Sequence, residues 1–143
     1  MASVIRLGQT PAPDESGALH LETPRLLARS NAGGEDGIRF TLFEKAAQRE
    51  IGWISLSVAE GEDKIAELRC FVEASERGRG LSREALRAVV PAALGRVRAQ
   101  GLRADIPIDD AAALATARGI GMRPSGRGRG SVQRFEKDLC ALL

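Results

Sequence analysis

The stretch FVEASERGRGLSREAL, residues 71–86, indicates a strand, a turn and a helix in succession. It joins an alternating apolar pattern to a helical pattern through a turn rich in glycine and arginine. A helix N-terminus carries about half a positive charge and several unpaired N–H groups, and a glycine-rich turn leading into it can cradle an anion. The stretch therefore predicts a phosphate-binding loop between a strand and a helix.

The same Arg-Gly-Arg-Gly quartet recurs in SGRGRG, residues 125–130. This second copy leads into a predicted strand, where sheet pairing uses the backbone N–H groups. Only the first copy therefore has a structural basis for holding a phosphate. The second is predicted to be a basic loop, with Arg127 and Arg129 able to attract a further phosphate or an acidic acceptor.

The predicted elements around the loop indicate an α+β (mixed α/β) domain. The short turns between residues 38 and 73 favour an antiparallel meander, and the strand–helix–strand crossover after it should pair its strands in parallel. Cys70 alternates with apolar residues and is predicted to be buried. Strands are predicted at 19–29, 38–45, 49–58, 64–73, 102–108 and 131–139, a long helix at 81–100 ended by Gly101, and a short helix at 109–119.

The composition is that of one soluble domain, residues 19–143, preceded by a flexible segment, residues 1–18. The 143 residues carry 21 Lys and Arg against 19 Asp and Glu, a balance too even for a nucleic-acid binder. An RNA-binding module would also need stacking aromatics beside its basic loops, and aromatics make up only 3% of the chain. Two cysteines form neither a disulfide framework nor a metal quartet, and no membrane span or signal segment is evident. These features predict a cytoplasmic protein without a metal.

Three segments resemble the GNAT N-acetyltransferases. Residues 77–82 resemble the acetyl-CoA motif of that family, [Q/R]-x-x-G-x-[G/A], which follows its fourth strand. LETPRLLAR, residues 21–29, resembles the usual first strand of the branch that acetylates ribosomal proteins. DDAAALATARGIGMRP, residues 109–124, resembles a downstream stretch often written N-x-x-A-x-x-x-Y-x-x-x-G-F. The resemblance covers residues 19–139.

The resemblance implies a mostly antiparallel sheet that splays between its fourth and fifth strands and binds acetyl-CoA there. The loop N–H groups would bind the pyrophosphate, strand backbone would pair with the pantetheine arm, and an amine would attack the acetyl group directly. The residues that this implies for cofactor binding are Arg77, Gly78, Arg79, Gly80, Leu81 and Ser82 in the loop, Phe71 and Val72 on the fourth strand, and Asp110 in the position of the usual asparagine.

The sequence departs from the family pattern at several points. Ser82 replaces a glycine or alanine. Ala117 occupies the slot of the tyrosine that commonly protonates the leaving thiolate, and the chain has no tyrosine. Only SNAGGEDG, residues 30–37, lies where the family usually has acceptor-binding helices. The acceptor site is therefore an open groove suited to a polypeptide terminus or lysine, or a partner subunit of a homodimer completes it, or no acceptor binds.

The candidates for the general base are three carboxylates on the fourth and fifth predicted strands. Asp105 falls where some relatives that acetylate α-amino groups place a glutamate, and Glu73 and Glu67 lie on one face of the fourth strand. Asp105 and Glu73 are taken as the catalytic candidates. The predicted function is an N-acetyltransferase acting on a primary amine, and the alternative is a catalytically degenerate acyl-CoA-binding or regulatory domain.

Overall fold

A computed structural model describes residues 17–34, 36–58, 64–76, 79–125 and 130–138. Most of the predicted flexible segment lies outside these ranges. So do Arg77 and Gly78 of the first quartet, and Arg127 and Arg129 of the second.

Eight strands in the described part of the chain form one sheet, ordered β1-β2-β3-β4-β5-β6-β8-β7. All neighbours are antiparallel except β5 and β6, which a helix connects in parallel. The predicted α+β fold with a β-α-β crossover is therefore confirmed. The strands are β1 His20–Glu22, β2 Leu26–Ser30, β3 Gly37–Glu44, β4 Arg49–Val58, β5 Ile65–Val72, β6 Gly101–Pro107, β7 Arg123–Pro124 and β8 Val132–Asp138; a 3₁₀ turn spans Ala74–Glu76, and the helices are α1 Leu81–Leu94 and α2 Ala111–Gly119.

The first predicted strand is two strands, because the chain turns at Pro24. Proline has no N–H for a sheet ladder, so a strand ends before it. The N–H of Thr23 donates to the carbonyl of Leu26 at 2.9 Å and closes the turn. β1 then pairs with β2 antiparallel, with His20 opposite Arg29.

The long helix ends earlier than predicted. It stops at Leu94, and Gly95, rather than Gly101, follows its last residue. The N–H of Arg96 donates to the carbonyl of Ala93, which tightens the end of the helix into a turn. Gly101 instead begins β6.

Both helices pack against one face of the sheet. Strand side chains alternate between a buried and an exposed face, and the buried set includes Phe40 and Phe135. Leu81 and Val89 of α1 belong to the same apolar cluster, and the guanidinium of Arg118 in α2 lies 5.6 Å from the ring centroid of Phe135. The opposite face keeps its side chains exposed or half-buried.

The sheet parts between β5 and β6. β5 pairs with β6 only from Ile65 to Glu67, opposite Gly101 to Arg103. Beyond that point β5 continues along β4, and β6 continues along β8. These are the fourth and fifth strands of the sequence-based count, so the predicted splay is confirmed. Every second residue of a strand turns its N–H and C=O toward one side, so backbone groups of β5 border the gap.

Candidate functional site

The gap between β5 and β6 opens into a cleft of about 780 Å³ beside the start of α1. The structure brings seven of the predicted site residues together on its walls. These are Phe71, Val72, Gly80, Leu81, Ser82, Asp105 and Asp110. Arg79 and Glu73 are described but do not line the cleft.

Gly80 is the residue that starts α1 at the floor of the cleft. Its φ of 74° lies in the left-handed region, which a residue with a Cβ adopts only with strain. A Cβ built there would meet only the Nη2 atom of Arg25, at 3.6 Å. The backbone conformation, rather than space, therefore favours glycine and tolerates only asparagine or aspartate at modest cost, and no capping side chain covers the first N–H groups of the helix.

The side chain of Arg79 contacts carboxylates rather than lining the cleft. Its Nη1 donates to Glu44 at 2.6 Å and also to Glu76, and both glutamates are buried. Hydrogen bonding to Glu44, and then to Glu76, raises the pKa of the guanidinium. Nη1 of Arg25 donates to the backbone carbonyl of Arg79 at 2.7 Å. Arg79 therefore fastens the loop to the sheet.

Arg49 extends this ionic cluster away from the cleft. Its guanidinium donates to Glu76 at 2.6 Å and to Glu73 at 2.8 Å. The hydrogen bond from Arg49, assisted by Arg79, lowers the pKa of the Glu76 carboxyl. Glu73 is thus held in a cluster behind the loop, separate from Asp105.

Asp105 lies on the β6 wall and is bound on both oxygens by Arg134. Nε of Arg134 donates to Oδ1 at 2.8 Å, and Nη2 donates to Oδ2 at 3.2 Å. These hydrogen bonds hold the pKa of the Asp105 carboxyl below its usual range. A carboxylate so paired is a weak base.

Glu67 borders the cleft where β5 and β6 part, and its ion pairs are loose. Its Oε1 is 3.4 Å from Nη2 of Arg69, and its Oε2 is 3.9 Å from Nη2 of Arg103. Among Asp105, Glu73 and Glu67, Glu67 is the one that lies on the cleft wall without a short salt bridge.

Cys70 is exposed to the cleft, so the prediction that it is buried is wrong. It shares a face with Ala66 and Leu68, but β6 has already moved away at its level. The surrounding walls desolvate the thiolate and raise the pKa of the Cys70 thiol to about 11, and a hydrogen bond from Ser82 offsets part of this effect.

The start and middle of α2 form the remaining wall. Oδ1 of Asp110 accepts a hydrogen bond from the Ala113 N–H at 3.0 Å, so the aspartate caps the helix as predicted. Ala117 on this helix is buried. The hydroxyl of Thr116 donates to the carbonyl of Ala112 at 2.8 Å.

A known protein family matches the chain in sequence, and solved structures match it in fold. The family model described as Acetyltransferase (GNAT) domain matches residues 4–123. The chain belongs to the GNAT acetyltransferases. It is accordingly a member of a family of acyl-transferring enzymes, and the sequence-based resemblance is confirmed.

Solved GNAT structures match the fold at low sequence identity. An acetyltransferase-assigned protein from Sphaerobacter thermophilus has a TM-score of 0.63 at 16% identity, with 84% of this chain and 98% of that one covered. An acetyltransferase from Thermus thermophilus has a TM-score of 0.57 at 26% identity, over 73% of this chain and 65% of that one. RimL, a ribosomal L7/L12 α-N-protein acetyltransferase solved with coenzyme A, has a TM-score of 0.61 at 17% identity, over 74% and 64%.

No curated protein sequence matches this GNAT chain. In the described ranges, no helix is long and apolar enough to span a membrane. The described residues also contain no group of three or more His, Cys, Asp or Glu side chains that could hold a metal ion.

Proposed function

We propose that the protein transfers an acetyl group from acetyl-CoA to the primary amine of a polypeptide or small molecule. The observation that carries this proposal is the parting of β5 from β6 directly beside the N-terminus of α1. This arrangement offers an anion site at one end and, along the gap, strand backbone that β6 does not pair with. Family membership and the coenzyme A complex of RimL support the same donor.

The donor site is assigned to the loop and its two flanking elements. The loop residues Arg77 to Ser82 would receive the pyrophosphate through backbone N–H groups, and the backbone of Phe71 and Val72 would pair with the pantetheine arm. Asp110 would shape the α2 wall. Arg79 would contribute its backbone, because its guanidinium is engaged by Glu44 and Glu76.

The cleft suits such a molecule in size and chemistry. A drug-sized ligand occupies a pocket of roughly 300–1,000 Å³, and the cleft measures about 780 Å³. Its walls combine apolar side chains such as Leu86 and Met122 with a few polar groups at the ends. The small hydroxyl of Ser82 bonds to Cys70, which gives it a partner other than the donor.

Acetyl-CoA supplies an activated thioester, so the chain must orient the amine and accept its proton. The sequence predicts Asp105 or Glu73 as the base, but Asp105 is paired with Arg134 and Glu73 lies outside the cleft wall. We therefore assign proton acceptance to Glu67, which borders the gap with loose ion pairs. Leaving-thiolate protonation needs no phenol, since a thiol with a pKa near 8.5 leaves acceptably unaided.

Ala117 favours a second candidate, a non-catalytic acyl-CoA-binding domain. It is buried where the family commonly has a tyrosine, and Thr116 donates its hydroxyl to backbone. Loss of a general acid costs about 10² to 10⁴ in rate. Such a loss slows an acetyltransferase without abolishing binding of the donor.

Release of free CoA distinguishes the two candidates. The protein is mixed with acetyl-CoA, and CoA release is followed with and without a panel of amines and peptide N-termini. An acetyltransferase releases CoA faster when a suitable acceptor is present. The mass of the acceptor also rises by about 42 Da, because an acetyl group replaces a hydrogen. Tight acetyl-CoA binding with no acceptor-dependent release would support the binding domain instead.

A further inference from the structure

The face of the sheet opposite α1 and α2 is uncovered in the described residues. Its side chains on the central strands are exposed or half-buried, whereas their neighbours on the other face are buried. Between β2 and β3 the chain makes only a short connection, residues 31–36. Nothing described therefore separates this face from an approaching molecule.

Two cross-strand rows form the centre of this surface. Arg29, Thr41, Trp53 and Phe71 lie opposite one another along β2 to β5, and Arg39, Ser55 and Arg69 form the next row. We name these seven residues the arginine face. The rings of Trp53 and Phe71 stack with centroids 6.2 Å apart, and the Arg39 guanidinium lies 4.4 Å from the Trp53 centroid.

The arginine face is positively charged. Neither row contains a carboxylate, and the ion pairs of the described residues include neither Arg29 nor Arg39. Arg69 contacts Glu67 at 3.4 Å, and its side chain is 66% exposed. Carboxylates on this side of the sheet border the two rows: Glu22, Glu50 and Glu67 lie in the flanking rows, and Asp105 lies across the gap, where Arg69 adds to the effect of Arg134 in lowering the pKa of its carboxyl. Guanidinium groups in such a setting attract carboxylates.

This surface is continuous with the cleft. Arg69 and Phe71 belong to the arginine face and also line the gap beside β5. Adjacent strands lie about 4.8 Å apart, so Arg39 on β3 is about 10 Å from Arg69 on β5. That distance matches three residues of extended chain. A polypeptide with its terminal amine in the gap would therefore place its next few residues over both arginines.

We propose that the arginine face binds the acceptor as a polypeptide whose first residues after the terminal amine are acidic. The inference rests on the proposed acetyl transfer and adds the class of acceptor. Carboxylates at the second to fourth positions bind Arg69 and Arg39, while the Trp53–Phe71 stack supports the peptide backbone.

Trp53 gives a direct measurement of this binding, because it is the single tryptophan of the chain. Eight-residue peptides beginning Ala-Glu-Glu-Glu, Ala-Gln-Gln-Gln or Ala-Lys-Lys-Lys are titrated at low salt, with Trp53 emission as the readout. The glutamate peptide is expected to bind about tenfold more tightly than the glutamine peptide, since exposed ion pairs contribute modestly. Its affinity falls as salt is added, because salt screens exposed charges.

Arginine replacements identify the residues responsible. Arg39→Gln and Arg69→Gln should each reduce the glutamate-to-glutamine ratio, and the double variant should bring it close to one. Arg87→Gln, an exposed arginine on α1, is the matched control and should keep the full ratio. Far-ultraviolet circular dichroism checks that each variant is folded.

Equal affinities for the three peptides, or an acidic preference that survives both replacements, would overturn the inference. So would a concentration-dependent dimer that buries Trp53 and excludes peptides, since a second copy would then occupy the face. Calorimetric titration with acetyl-CoA is run in parallel. Its failure would count against the proposed donor, whereas a lost charge preference with intact acetyl-CoA binding would count only against the arginine face.

Discussion

Nη1 of Arg79 donates to Oε2 of Glu44 over 2.6 Å, across 35 residues of sequence. The contact ties the loop before α1 to the end of β3. An arginine in a phosphate loop is expected to bind the phosphate, and this one instead holds the loop in place. The loop can then present backbone N–H groups in a fixed arrangement.

A double-mutant cycle between these two residues tests the anchoring. Arg79→Met leaves the buried Glu44 carboxylate without its cation and Glu76 with Arg49 alone, and should lower acetyl-CoA affinity about tenfold. Glu44→Gln removes the carboxylate partner of Arg79 and should also lower acetyl-CoA affinity. The double variant should lose less binding free energy than the two single variants lose together, because the two residues act through one contact. Calorimetry measures the affinities.

Arg87→Met is the control for removing an arginine from the α1 region, and Arg79→Lys should restore part of the affinity. KM for acetyl-CoA should rise in Arg79→Met while kcat at saturating donor changes little. Strict additivity in the cycle would mean that Arg79 and Glu44 act independently, which contradicts an anchoring role.

Replacing the two carboxylates of the cleft, Glu67 and Asp105, should lower kcat to different extents. Glu67→Gln should lower kcat about 10² to 10⁴-fold, because it removes the proposed proton acceptor. Asp105→Asn should have a smaller effect on kcat, since its carboxylate is already committed to Arg134. Steady-state rates of CoA release measure both, with acetyl-CoA affinity measured separately.

Glu73→Gln serves as the comparison outside the cleft and should change kcat least. A larger loss of kcat in Asp105→Asn than in Glu67→Gln would reverse the assignment and return proton acceptance to Asp105.

Cys70 should react slowly with alkylating reagents at neutral pH although it is exposed. Its thiol has a pKa of about 11, so the thiolate fraction rises tenfold per pH unit up to that value. Iodoacetamide labelling of a Cys140→Ser variant, followed by mass spectrometry from pH 7 to 10, measures the profile. Acetyl-CoA should slow the labelling by occupying the cleft.

A rate that levels off near pH 8.5 would show an ordinary thiol and contradict the desolvated environment. Labelling unaffected by saturating acetyl-CoA would place the donor away from Cys70.

Much of the fold is predictable from the sequence, because local residue patterns indicate most of its strands and helices. Strand alternation gave β3, β4 and β5 within a residue or two, and the Asp110 cap gave the start of α2. The turn at Pro24 was missed because a proline is equally compatible with an edge strand and with a turn. The two-residue strand β7 is too short to have a periodic pattern.

The site was less predictable, since its decisive contacts join distant parts of the chain. Glu44 and Glu76 have no local signal that they meet Arg79, and Arg49 has none that it meets Glu76, because a charged residue in a strand or turn is usually solvated. The exposure of Cys70 depends on where β5 leaves β6. Alternation within one strand cannot reveal that point.

The ionic cluster around Arg79 should make the free energy of unfolding depend on pH in the acid range. The folded-state pKa of Glu76 lies below the ordinary 4.5, chiefly because Arg49 donates to it. This contribution is complete above the unfolded-state pKa and is lost as pH falls through the lower folded-state value. Urea denaturation of wild type and Glu76→Gln from pH 7 to 3 should show a stability difference that narrows below about pH 4.5.

A difference that stays constant over that range would mean that the charge of Glu76 contributes nothing to stability. Glu50→Gln, an exposed glutamate that no described ion pair includes, is the control and should run parallel to wild type.

Titration of Gly80 variants with acetyl-CoA tests whether the donor binds at the N-terminus of α1. Gly80→Asn and Gly80→Asp have nearly the same shape, and both side chains adopt the left-handed backbone at modest cost. They differ in charge at the proposed pyrophosphate site. Wild type and Gly80→Asn should bind acetyl-CoA, whereas Gly80→Asp should lose at least about a hundredfold in affinity through like-charge repulsion. Equal binding by the asparagine and aspartate variants would contradict the placement of the donor at the N-terminus of α1.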